Sequence, residues 1–216
     1  LLQLELDECT TPGMPRETVA LQRVLVDELL QLTPPTDLPH HANLLVDKAR
    51  ILRGLGSPSA LSAAGTATPS HDDAGPVDLC RLAVSALKGA MAEAGRESGV
   101  LAEALARAYT WLGICAVDAG VDYEVPLQVA CELWRAVLQS TREGTGPGVL
   151  PSTNAAIRGR TADLLHTMAT LFGLLGQSKS QVLVYSLIEL LNTELLSDDP
   201  DALTQTLSAL ANTGHR

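Results

Sequence analysis

Five histidines and four cysteines are the side chains here with the means to hold a metal or attack a carbonyl. Cys9, Cys80, Cys115 and Cys131 lie 71, 35 and 16 residues apart, which is neither a CxxC zinc pattern nor a dense secreted framework. They read as reduced, mostly buried thiols. A nucleophilic cysteine needs a helix N-terminus or a cationic neighbour, and Cys115 and Cys131 stand mid-helix beside Ile, Ala or Val. His40 and His41 are adjacent, so on a helix they point about 100° apart and cannot share a metal as an i,i+4 pair does. His71, beside Asp72 and Asp73, sits in a Ser/Ala/Gly stretch unsuited to a rigid site. His166 lies among apolar neighbours, and His215 is next to last. The pairs Asp72-Asp73 and Asp198-Asp199 read as solvated caps. No P-loop, GxGxxG after a strand, GxSxG or HExxH occurs. The expectation is therefore no catalytic, cofactor-binding or metal residue in this segment, and no cofactor.

Positioning elements are helical throughout. Ala and Leu dominate, both strong helix formers, and no stretch alternates at strand period. Helices are expected at Pro15–Leu32, Leu38–Leu55 with Asp37 as N-cap, Pro76–Ser98, Val100–Ala119, Tyr123–Thr141, Ala155–Leu175 and Lys179–Leu196. A short eighth, capped by Asp199, ends near Asn212. The small-residue stretch up to Pro76 reads as a flexible surface insert, and Glu143–Thr153, with three glycines and two prolines, as a second loop. The expected organisation is a helical hairpin at 1–56, the insert at 57–76, a hairpin region at 77–142, the loop at 143–153, and a hairpin plus terminal helix at 154–216.

The second, fourth and sixth helices share an ending. Each has a small residue followed seven positions later by glycine: Ala49/Gly56, Gly113/Gly120, Ala169/Gly176. The glycine closes the helix in the left-handed conformation and the small residue admits a neighbour. The fifth and seventh helices answer each other through Ala130, Trp134 and Val137 against Gln181, Tyr185 and Ile188. Trp134 should be a core knob packed on Gly113 and Ala116. The fold class expected is all-α: antiparallel helical hairpins stacked as a TPR-like right-handed superhelix.

Composition bounds the partners. There are 15 Lys plus Arg against 25 Asp plus Glu, a net charge of −10, and only 3% aromatics. That disfavours DNA, RNA and anionic bilayers as partners. No apolar run is expected to reach the ~18 residues of a membrane span, and no signal peptide is visible. The chain opens with Leu1 and reads as a fragment or processed piece, from a cytosolic or nuclear setting.

Three stretches resemble a known family: LLVDKARILRGLG (Leu44–Gly56), PLQVACELWRAVLQ (Pro126–Gln139) and TADLLHTMATLFGLLGQSKSQVLVYSLIELL (Thr161–Leu191). They are similar to the helical region of separase, in the order of an Asp47-Lys48-Ala49 helix, a loop-rich insert, a helix carrying Leu133-Trp134, then the Leu-rich pair within Leu171–Leu191. The resemblance implies a cysteine endopeptidase that cleaves the cohesin kleisin and separates sister chromatids in mitosis and meiosis. It further implies an α-superhelix that binds the inhibitor securin, and residence in cytoplasm and nucleus. The family's catalytic His-Gly and Gly-Cys motifs are missing: Thr follows His166, and Cys115 and Cys131 follow Ile and Ala. The segment would be scaffold, with whether it is itself an enzyme left open. Glu93 to Arg96 fits a loose ExxR cleavage pattern but falls at a helix end, where cleavage is disfavoured. The alternatives are an unrelated TPR-like adaptor for protein–protein interaction and, behind it, a small-molecule-binding or catalytic helical domain.

Overall fold

A computed structural model describes residues 16–34, 36–54, 74–94, 99–142 and 154–192. Among them are seven α-helices and no strand: α1 Arg16–Leu32, α2 Leu38–Gly54, α3 Pro76–Ala94, α4 Gly99–Ala119, α5 Glu124–Arg142, α6 Asn154–Leu174 and α7 Ser178–Asn192. The chain is all-α, and each helix falls where sequence periodicity expects one. Residues 57–73 of the expected insert, the 143–153 loop and the eighth helix lie outside the described residues. At the insert's end Ala74 is buried and Pro76 opens α3.

The chain divides into two compact units, Leu1–Val129 and Ala130–Arg216, with the break inside α5. In the first unit α2 is central. Its residues Ala42, Leu44 to Ala49, Ile51 and Leu52 are buried, so the helix is covered nearly all round. The helix begins at Asp37, whose Oδ1 accepts from the His40 amide at 3.4 Å while its carbonyl accepts from His41 at 2.9 Å. One side of α2 receives α1, where Val26 packs on Ile51 with Val19, Leu29 and Leu30 around them. Other sides receive α3 and α4.

Side-chain contacts give the helix directions. Asp47, Arg50 and Arg53 of α2 meet Arg107, Trp111 and Asp118 of α4 in ascending order, so α2 and α4 run parallel. Lys88 lies over Tyr109, and α3 and α4 pack on one another across a connection of only four residues, which makes them an antiparallel hairpin. Within the first unit α3 therefore runs opposite to both α2 and α4.

The second unit holds the rest of α5 with α6 and α7. Gly173 faces Gln181 and His166 faces Tyr185, so α6 and α7 are antiparallel. Leu165, Met168, Ala169, Leu171, Phe172, Val184, Leu187 and Ile188 are buried, as are Ala130, Cys131, Trp134, Val137 and Leu138 of α5.

Two helix ends match in detail. Gly120 and Gly176 have φ of 64° and 69°. The Gly120 amide donates to Val117 and the Val121 amide to Ala116; the Gly176 amide donates to Gly173 and the Gln177 amide to Phe172. Both are Schellman ends, and only glycine takes this conformation without strain. Gly56 lies outside the described residues.

Three expectations are corrected. The side chain against Gly113 is Leu127, two helical turns before Trp134: a Cβ built on Gly113 would stand 2.3 Å from Leu127 Cδ2. Leu127 and Trp134 are seven residues apart and share a stripe, so periodicity could not choose between them. The correspondence of α5 with α7 also fails at its middle position, since Trp134 is 7% exposed and Tyr185 44%. In addition, α4 has the length and mean hydropathy, 1.4 over 18 residues, of a membrane span, contrary to the expected lack of such a run. Of that window 61% is buried in the fold, and it contains Arg107, which is ion-paired to Asp47.

Candidate functional site

A concentration of polar chemistry in the described residues lies along α2, between α1 on one side and α4 on another. Asp47 and Lys48 are adjacent on α2, and both side chains are 2% exposed. Adjacent helical residues diverge, so each finds its partners on a different neighbour. Lys48 Nζ reaches Asp27 of α1 at 2.7 Å, and Arg23 stands one turn from that carboxylate at 3.8 Å. Asp47 Oδ1 accepts from Arg50 at 3.0 Å and from Arg107 of α4 at 2.8 Å. Arg50 also lies over the Trp111 ring, 4.9 Å from its centroid. One turn further, Arg53 donates through Nε and Nη2 to the two Asp118 oxygens, and this contact raises the Arg53 pKa.

This is a joint between helices: each of the two buried charges is answered by an opposite charge on a neighbouring helix. Asp47 Oδ2 is buried without a hydrogen-bond partner among the described residues. Breaking such a joint from one side is costly, because the remaining charge stays desolvated.

The cysteines are free thiols at Cys80, Cys115 and Cys131. The influence of Cys80 holds the Cys115 thiol below its ordinary range, with Arg53 helping, while Cys115 and burial push Cys80 well above it. Burial pushes Cys131 up to about 11. Cys9 lies outside the described residues.

Of the histidines, His40 and His41 occupy the first turn of α2. His166 is exposed on α6, its ring edge-on to Tyr185 at 6.3 Å between centroids. His71, His215 and both Asp-Asp pairs lie outside the described residues, as does Arg96, while Glu93 is exposed on the last turn of α3. No group of three His, Cys, Asp or Glu able to hold a metal occurs among the described residues.

Sequence reasoning missed the ion joint. It had a signal: Asp47, Lys48 and Arg50 interrupt an apolar run from Leu44 to Leu52, and charges inside a core stripe must be paired. No family profile, curated protein or solved structure matches the chain.

Proposed function

We propose that this chain is a helical scaffold segment that binds an extended protein partner, and that it belongs to the superhelical region of a separase-like protease. In that setting its partners would be a securin-like inhibitor or the cohesin kleisin, in cytoplasm and nucleus. The observation that carries the scaffold reading is the use of the resembling residues. Asp47, Lys48 and Ala49 are buried at the joint of three helices, and Trp134, Leu171 and Leu187 are buried in the second unit. These positions hold helices together, as a scaffold requires, and none is poised for reaction. The matching Schellman ends and the parallel course of α2 and α4 support hairpins stacked in the TPR-like right-handed manner. The net charge of −10 favours partner segments with basic and apolar residues.

The test is a titration of the chain with a securin-like peptide and a kleisin peptide at rising salt. Saturable binding that weakens with salt is expected, and acidic residues added to the peptide should weaken it further. Binding strengthened by those acidic residues contradicts the charge argument. Failure of both peptides removes the separase assignment and leaves an unrelated TPR-like adaptor, a reading favoured by exposed Val182 and Tyr185 on α7.

A further inference from the structure

Helix α1 is apolar on two sides. Its inner side, with Val26 at the centre and Val19, Leu29 and Leu30 around it, packs on Ile51 of α2. The other side carries Leu21, Val24, Leu25 and Leu32, at i, i+3, i+4 and i+11, which place them on one stripe of the helix. Leu21 is 61% exposed, Val24 53% and Leu32 79%, while Leu25 is partly buried. A surface helix buries one apolar stripe and turns polar residues outward, so a second apolar stripe calls for a second neighbour. Glu28 lies exposed within that stripe, at i+7. Its helical neighbours at i−4, i−3, i+3 and i+4 are Val24, Leu25, Gln31 and Leu32, so no basic residue one turn away answers it.

We infer that this face docks an amphipathic helix of another protein, one whose apolar stripe is interrupted by a lysine or arginine that meets Glu28. Charge selects that occupant over two nearer ones. Residues 1–15, which precede α1, hold the acidic residues Glu5, Asp7 and Glu8 and no basic one. Laid on the stripe, they would set carboxylates beside Glu28. A second copy of the chain meets the same difficulty. A two-fold pairing of α1 with itself is isologous, so both Glu28 carboxylates enter one apolar seam, between chains that each carry a charge of −10. A basic amphipathic helix instead covers the four apolar side chains and pairs the carboxylate that those contacts desolvate. The inference goes beyond the extended-partner reading and does not depend on it, since α1 lies outside all three separase-like stretches.

The experiment titrates the full chain with a fluorescent synthetic peptide as long as α1, bearing leucines on one helical stripe and a lysine at its middle. A second peptide carries glutamate in place of that lysine. Saturable binding of the lysine peptide is expected, with the glutamate peptide about tenfold weaker. Leu21→Gln and Val24→Gln together should weaken binding about tenfold or more. Both side chains are exposed, so the helical circular dichroism should be unchanged. Val182→Gln, an exposed apolar position in the other unit, should leave binding as it was. Glu28→Lys should reverse the preference, so that the glutamate peptide binds better.

Absence of saturable binding, equal affinity for the two peptides, or binding indifferent to Leu21 and Val24 overturns the proposal. A concentration-dependent dimer in sedimentation that Leu21→Gln abolishes also overturns it, by giving the face to a second copy. So do methyl NMR contacts between Leu21 and residues 1–15, which give the face to the chain's own segment. Failure of the securin-like and kleisin peptides bears on the separase assignment and leaves this inference intact.

Discussion

Gly120 and Gly176 end their helices with the same two hydrogen bonds, yet the chain before them is built differently in the two units. Upstream of Gly120, α4 is fastened to α2 by Arg107–Asp47, Arg50 over Trp111, and Arg53–Asp118. Upstream of Gly176, α6 and α7 bury Met168, Leu171, Phe172, Val184, Leu187 and Ile188. The small position differs too. In α4 it is Gly113, filled over by buried Leu127; in α6 it is Ala169, and the glycine lies four residues on at Gly173, under the partly exposed Gln181. The same helix ending thus serves a joint made of directional charge contacts and another made of apolar area. Charge contacts fix register, whereas apolar burial is non-directional and tolerates sliding.

The largest effect that would test this contrast is at Trp134. Trp134→Ala empties a buried indole and should cost about 3–5 kcal/mol. Trp111→Ala should cost less, because Trp111 is only partly buried and its cation–π contact with Arg50 is worth about 1 kcal/mol. Urea midpoints of the two variants measure the difference. Equal small shifts would mean that apolar packing does not hold the second unit.

Next is the ion joint of the first unit. Asp27→Ala leaves the deeply buried Lys48 ammonium without its 2.7 Å carboxylate and should cost about 3 kcal/mol. Lys48→Met leaves instead an Asp27 that is 31% exposed and close to Arg23, and it keeps most of the packed volume, so it should cost less than about 1 kcal/mol. The asymmetry is the prediction. Thermal or urea melts that rank Lys48→Met as the worse variant would show that the lysine's charge is what α1 depends on.

The smallest effect separates the two glycines. Gly113→Ala drives a methyl into Leu127, which is fully buried and has nowhere to swing, for a loss of about 1–3 kcal/mol. Gly173→Ala meets only the end of the Gln181 side chain, which can rotate toward solvent. The gain in helix propensity should leave that variant neutral or more stable by up to about 1 kcal/mol. Matching losses at both positions would show that the second unit is packed as tightly at its glycine as the first.

Much of this molecule was legible in one dimension. Helix starts at Asp37 and Pro76 and ends at Gly120 and Gly176 follow from local stereochemistry, since capping groups and a left-handed glycine act on the few residues beside them. The burial of Trp134 and the exposure of His166 were also within reach, as one lies on an apolar stripe and the other faces away from its helix core. What only the tertiary structure decided is which residues meet. Leu127 and Trp134 differ by two helical turns and are equivalent to any periodic pattern, so choosing Leu127 for Gly113 needed the actual slide of α5 along α4. Asp47 and Arg107 are 60 residues apart, and Lys88 and Tyr109 21; their contacts exist only because the folded chain places α4 parallel to α2 and back along α3. Helix formation is decided within a turn or two, whereas pairing depends on the packing of whole helices.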